Sequence, residues 1–154
     1  MSDIKKKAGS QANASADRKK LFFQWHDQMS VSIRKIDAQH RTLIVFINDA
    51  YKALQDPKGN EIMRQVLHDL FDYAKIHFAY EEKLLNQYGY ILAEAHSKEH
   101  RKFEFQILQF YKEYDSNPAA VGAKICAFLK EWLLTHIMVN DQAYASHLHR
   151  NGVS

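Results

Sequence analysis

Residues 60–86, NEIMRQVLHDLFDYAKIHFAYEEKLLN, decide the fold. Met63, Val66, Leu70, Tyr73, His77, Glu81 and Leu84 recur three or four residues apart, the period of one face of an α-helix. No Gly or Pro interrupts the stretch, and Gly89 beyond it suits a left-handed residue that closes the helix. The seam therefore buries one stripe of a long helix. Near its end the stripe carries an imidazole and a carboxylate, and a polar group on a core face costs free energy unless something satisfies it.

Three further stretches repeat the pattern. Residues of about 38–55 place His40, Leu43, Ile44, Ile47, Tyr51 and Leu54 on one stripe, ended by Asp56-Pro57-Lys58-Gly59. Asp37 is expected to cap that helix, because its carboxylate can accept free backbone N–H groups. A helix over about 92–114 carries His96, His100, Phe103, Ile107, Phe110 and Tyr114. Asp115-Ser116-Asn117-Pro118 breaks the chain and restarts it, with Pro118 near the first turn. The last helix, about 119–137, brings Val121, Ile125, Phe128, Leu129, Trp132 and His136 inward. Short connections favour antiparallel neighbours, so the expectation is an all-α, up-down-up-down four-helix bundle. Phe22, Phe23, Trp25, Met29, Val31, Ile33 and Ile36 are apolar but aperiodic, and should form an arm across one side of it.

Each seam is thus interrupted by metal-binding residue types: His40, then His77-x3-Glu81, His96-x3-His100, and His136-x4-Asp141. Each spacing alone is weak in a chain with nine His, and His100 with Glu104 makes an accidental His-x3-Glu. Context supplies the strength, because every set falls on a buried stripe. A four-residue spacing puts two side chains on one face about 6 Å apart along the axis, close enough to serve one site. His136 and Asp141 are different. Five residues advance a helix roughly 140° beyond a full turn. The helix must therefore end, bulge or bend between them, and an ending at Asn140-Asp141 followed by a short segment, Gln142 to His149, would do this.

Five imidazoles and two carboxylates in one core make a ligand set for two metal ions. Iron suits such donors, with zinc, manganese and copper as poorer candidates. There is no His-Glu-x-x-His, no Gly-rich phosphate loop and no Cys-x-x-Cys, and the Glu-x-x-His pairs of ferritin-like oxidases are missing from the seams.

The rest of the composition bounds the answer. The 154 residues fit one domain, and 46% hydrophobic with 25% charged residues is ordinary for a globular protein. The net charge of +3 belongs to residues 1–20, where six Lys/Arg face two Asp; the remaining body is close to neutral. That basic, Ala/Ser/Gly/Gln-containing segment is expected to be a disordered tail, with the bundle domain over residues 21–150, and no nucleic-acid partner is expected. Cys126 is single and lies in an apolar run, so it reads as an inert core residue. No apolar run approaches the roughly 20 residues of a membrane span, and no signal peptide is recognisable, which makes the cytoplasm the expected location. A monomer is expected.

At its ligand residues the chain resembles the hemerythrins, specifically the single-domain bacterial ones. The matching stretches are Ile36-Asp37-Ala38-Gln39-His40, His77-Phe78-Ala79-Tyr80-Glu81-Glu82, Gly89-Tyr90, His96-x3-His100, Trp132-Leu133-Leu134-Thr135-His136-Ile137, and Asp141 with Tyr144 after it. Trp25 also resembles the family's start, and the likeness runs from about residue 21 to 147. The resemblance implies two non-haem irons bridged by an oxo or hydroxo group. One would be held by His96, His100 and His136, the other by His40 and His77, with Glu81 and Asp141 bridging. It further implies reversible dioxygen binding at the open position of the two-His iron. An apolar wall at Phe78, Phe103, Trp132, Leu133 and Ile137 would keep outside protons and further electrons away, with at least three of them expected at the ligand pocket, and the five pack the core at the same time.

The leading expectation is therefore an oxygen carrier, storage or delivery protein and not an enzyme, with dioxygen as ligand and an oxygen-consuming enzyme as a delivery target. The rivals are a di-iron redox enzyme (peroxidase, nitric-oxide reductase or ferroxidase), a sensor acting through a partner, and a metal-free interaction bundle. His26, His68, His147 and His149 read as surface or terminal residues, Tyr51, Tyr73, Tyr114 and Tyr144 as packing, with Tyr73 a candidate partner for His77 one turn away.

Overall fold

The four seams become four long helices in the computed structural model, which describes residues 21–154. These are α1 (Arg34–Gln55), α2 (Asn60–Gln87), α3 (Ala93–Glu113) and α4 (Pro118–Thr135). A π-helical segment, His136–Asp141, continues α4 directly into α5 (Gln142–Arg150). α1 packs on α2 and α4, and α3 packs on α2 and α4, so neighbours in sequence are neighbours in space and the first helix closes on the fourth. This is the antiparallel up-down-up-down bundle that the short connections favour. The basic tail, residues 1–20, lies outside the described residues. No helix among the described residues is long and apolar enough to cross a membrane.

The connections follow local chemistry. Gly89 has φ +64° and sits just past α2. There Tyr90 N–H reaches back to Leu85 O at 2.8 Å, the hydrogen bond of a Schellman ending. Gly59 precedes α2 against the end of α1, where a Cβ would lie 1.8 Å from Ala53 O, so no side chain fits. Asn117 caps α4 by accepting from Ala120 N–H, and Pro118 occupies the first turn.

α1 begins at Arg34, four residues earlier than its stripe predicts, and the residue preceding it, Ile33, offers no side-chain cap. Asp37 is not the cap. Its carboxylate accepts instead from Val31 N–H and Ser30 Oγ–H, which holds the arm against the start of the helix. Farther back the arm is clamped by Asn48. Phe23 N–H donates to Asn48 Oδ1 at 3.0 Å, and Asn48 Nδ2 donates to Phe23 O at 2.8 Å. Gln142 ties the same arm to α5 through Ser30 O at 2.9 Å.

Two apolar clusters result. The larger runs along the bundle and includes Met63, Leu67, Leu70, Ile107, Ile125 and Leu129, all at most 1% exposed. The smaller joins the arm to α2 and α5 through Val31, Ile33, Ile36, Leu85, Tyr144, Ala145 and Leu148. Fully burying one such Leu or Ile side chain is worth about 1.5–3 kcal/mol, so each cluster is a strong clamp. Cys126 belongs to the larger cluster, and burial pushes its thiol up to about 11, as suits an inert core residue.

Candidate metal centre

Seven polar residues gather in the core. His40 comes from α1, His77 and Glu81 from α2, His96 and His100 from α3, and His136 and Asp141 from the two ends of the π segment. His40, Glu81, His100 and Asp141 are 0% exposed, and the other three are at most 5% exposed. Every candidate ligand read from the seams is therefore brought to one place.

The π segment explains the awkward fourth spacing. Its wider turns, hydrogen-bonded five residues apart, bring residue i+5 back over residue i, so His136 and Asp141 both face inward. The helix bulges there and does not end at Asn140-Asp141. Such single π turns recur at functional sites.

The donor atoms fall into two groups. Glu81 with His96, His100 and His136 forms one set whose ligand atoms all lie within 4.8 Å of one another; Glu81 with His40 and His77 forms the other. Glu81 spans both. Its Oε2 lies 3.3 Å from His96 Nε2 and 3.3 Å from His100 Nε2, while Oε1 lies 3.7 Å from His40 Nε2 and 3.6 Å from His77 Nε2. Asp141 divides in the same way: Oδ1 faces His96 and His136 at 3.4 and 3.2 Å, and Oδ2 faces His40 at 3.1 Å. Each carboxylate thus offers one oxygen to each group of imidazoles.

Protein partners alone leave this layer unsatisfied. Both Asp141 oxygens and both His40 ring nitrogens are buried without a hydrogen bond. His100 Nε2 and His136 Nε2 point at each other 3.1 Å apart. Buried charge that lacks hydrogen bonds costs several kcal/mol per ion, so the donor set fits a pair of cations at its centre. The electrostatics show the same tension. Burial opposes charge on His40, yet Asp141 and Glu81 together raise it to about 9. Burial brings His77 down to about 4 even though Glu81 pulls the other way. Burial and Glu81 favour the neutral form of Asp141, but His136 and His40 hold it at about 2. Glu81 is likewise held well below the usual carboxylate range by its imidazoles, against its burial.

Several rings are anchored from behind. His77 Nδ1–H donates to Gln39 Oε1 at 3.0 Å, and His100 Nδ1–H donates to Glu82 Oε1 at 2.8 Å. The Asn140 amide meets His136 Nδ1 at 3.1 Å. The Gln39 and Glu82 contacts leave Nε2 to face the centre, the usual role of such partners around metal-binding His, whereas Asn140 presents its Nδ2 donor to His136 Nδ1. Tyr73 has no such role, since its ring packs on Phe46 while Gln39 takes the position behind His77. Tyr144 is more than packing, because its hydroxyl donates to Glu81 Oε1. Burial raises that phenol well above its usual range, with Asp141 and Glu81 adding to the effect, so it stays a donor.

Beside the imidazoles, Phe78 stacks on His100 with ring centres 3.8 Å apart, and Trp132 stacks on His136 at 4.3 Å. Phe78, Phe103, Trp132 and Leu133 line a small apolar cavity together with Leu70 and Leu129. Ile137 is buried in the same cluster but is not part of the cavity wall. His26, His68 and His149 are exposed, and His147 binds Tyr88 O at 2.8 Å, away from the cluster.

Residues 31–148 match the family model described as the hemerythrin HHE cation binding domain. The chain is 32% identical over 120 residues to a bacteriohemerythrin of Pseudomonas aeruginosa, covering 78% of this chain and 77% of that one. It is 32% identical over 127 residues to a bacteriohemerythrin of Clostridium acetobutylicum, covering 79% of this chain and 98% of the relative. A crystal structure of wild-type hemerythrin superposes with a TM-score of 0.75 at 25% identity, over 82% of this chain and 98% of that one. With the matching bundle and the buried imidazole–carboxylate layer, the chain belongs to the hemerythrin family.

Proposed function

We propose that the buried layer holds two iron ions and that the protein binds dioxygen reversibly, as a carrier, storage or delivery protein. The observation that carries this reading is the orientation of Glu81 and Asp141, each aiming one oxygen at either group of imidazoles. In this assignment His96, His100 and His136 would hold one ion and His40 and His77 the other, with Glu81 and Asp141 offering an oxygen to each. The ions, when bound, supply two electrons and one open coordination position to dioxygen.

The chain's own residues supply the rest. Gln39 and Glu82 each accept from Nδ1–H and so fix two rings with their Nε2 atoms facing inward. Tyr144 holds Glu81 in its bridging orientation. Phe78, Phe103, Trp132 and Leu133 exclude water from the cavity beside the imidazoles and offer no group that gives or takes a proton. A pocket without acid or base favours holding a small neutral ligand over transforming it, which supports a binding protein ahead of an enzyme.

The test is spectroscopic. Iron-loaded protein, reduced without air, should develop visible charge-transfer absorption when oxygen is admitted and lose it under vacuum. Irreversible oxidation on the first exposure would overturn reversible binding and favour redox chemistry. A protein that retains no iron would overturn the metal assignment.

A further inference from the structure

The imidazole anchors are not chemically alike. Gln39 offers His77 a neutral amide oxygen at 3.0 Å, and Asn140 turns its amide Nδ2 toward His136 Nδ1 at 3.1 Å. Glu82 behind His100 is a carboxylate, and its contact is shorter at 2.8 Å. The same Oε1 atom also accepts from Arg101 NH2 at 2.8 Å, and Arg101 reaches Glu104 at 3.5 Å. His100 is fully buried, whereas the Glu82 side chain is 22% exposed and that of Arg101 55% exposed. A charged chain thus runs from the surface of α3 to one buried imidazole. No carboxylate stands at the same ring nitrogen of His77 or His136, and His40 Nδ1 has no hydrogen bond.

We propose that Glu82 is a positioning residue that makes the three-His half of the centre the more electron-donating half, with Arg101 setting the strength by sharing the same carboxylate oxygen. The inference rests on the metal reading above. An ionised acceptor strengthens a hydrogen bond roughly twofold over a neutral one, and it enriches the electron density that the ring presents at Nε2. Richer density favours tighter binding of a cation and the higher oxidation state of a redox metal. Arg101 draws on the same oxygen and so weakens the effect. The two residues should therefore act in opposite directions. Bare charges acting through space would also move the potential in opposite directions, so the distinguishing mark is that Glu82→Gln weakens one metal position and spares the other.

The experiment uses the full chain with Glu82→Gln, which keeps an acceptor but removes the charge, Glu82→Asp, which keeps the charge, and Arg101→Met. Metal-free protein is titrated with Co(II), followed by its visible bands, and iron-loaded protein is titrated electrochemically. Glu82→Gln should lower Co(II) affinity at one of the two positions by about 10- to 100-fold, leave the other unchanged, and raise the midpoint potential. Arg101→Met should lower the potential, and Glu82→Asp should recover part of the lost affinity. Unchanged affinities and potentials, or shifts of the same sign in Glu82→Gln and Arg101→Met, would overturn the proposal. Should Glu82→Gln fail to fold, Arg101→Met still decides, because the proposal has it raise Co(II) affinity at one position only, and an equal change or none at both would overturn it. A wild type that takes up two Co(II) beside indifferent variants refutes this inference alone, whereas a wild type that takes up none refutes the metal reading as well.

Discussion

Two regions of one bundle bury their contents in opposite ways. Around Met63, Leu67, Leu70 and Ile125 the seams meet as aliphatic side chains at most 1% exposed. Farther along α2, the same stripe carries His77 and Glu81, and seven polar residues meet at the same depth. The apolar region is held by area removed from water and needs nothing more. The polar layer is held in place by apolar clusters on both sides, while its own charges press for a compensating cation. The lesson is that burial measures position, not contribution: equal depth stabilises one region and stores a demand in the other.

The sharpest way to break this comparison is to remove the metal. At a free metal concentration a thousand times the dissociation constant, binding to the folded state alone adds about 4 kcal/mol. Urea denaturation with and without a chelator should show a loss of that order. An unchanged midpoint would mean that the polar layer satisfies itself. Next in size is Leu70→Ala in the dry region, expected to cost about 2–5 kcal/mol through lost burial and a cavity. Metal analysis of that variant should still return the wild-type stoichiometry; a loss of metal would show that the two regions are not separable.

The third prediction concerns the metal-free protein and pH. His77 is lowered from 6.5 to about 4, so its contribution is present above pH 6.5 and is lost as pH falls toward 4. His40 is raised from 6.5 to about 9, so its contribution is present below pH 6.5 and is lost as pH rises toward 9. Stability of the metal-free protein, followed by thermal melting, should therefore peak near pH 6.5. Bound metal should remove the alkaline loss, since ligation already needs neutral His40. A metal-free curve flat from pH 5 to 8 would contradict the charge balance described for the layer. The smallest effect is expected away from both regions. Gly89→Ala forces a side chain into φ +64° and should cost about 1 kcal/mol, visible as a small shift in the melting temperature without change in metal content.

Much of the centre was legible beforehand because its residues obey the period of the seams. His40, His77, Glu81, His96 and His100 stand on stripes marked by Leu, Ile and Phe, and the structure brings all of them into the layer. His136-x4-Asp141 announced an irregularity without its form, since an ending, a bend and a π bulge all satisfy the same spacing. Asp37 misled for a related reason. A capping rule counts backbone N–H groups along the chain, whereas the arm folds back and presents Val31 N–H and Ser30 to the same carboxylate. Gln39 and Glu82 each stand beside a ligand in the chain, and that adjacency was the available signal. Whether such a neighbour faces solvent or the next helix depends on how the helix is rotated.

The sequence by itself determined the helices, their buried stripes, the seven polar positions on them and the family likeness, because each is a matter of local period and residue type. Only the tertiary structure decided which carboxylate oxygen faces which imidazole, which side chain stands behind each ring, and that α4 passes through a π turn rather than stopping. These depend on helix rotation and axial offset, which are fixed when four seams and an arm pack at once and which no single stretch of chain encodes.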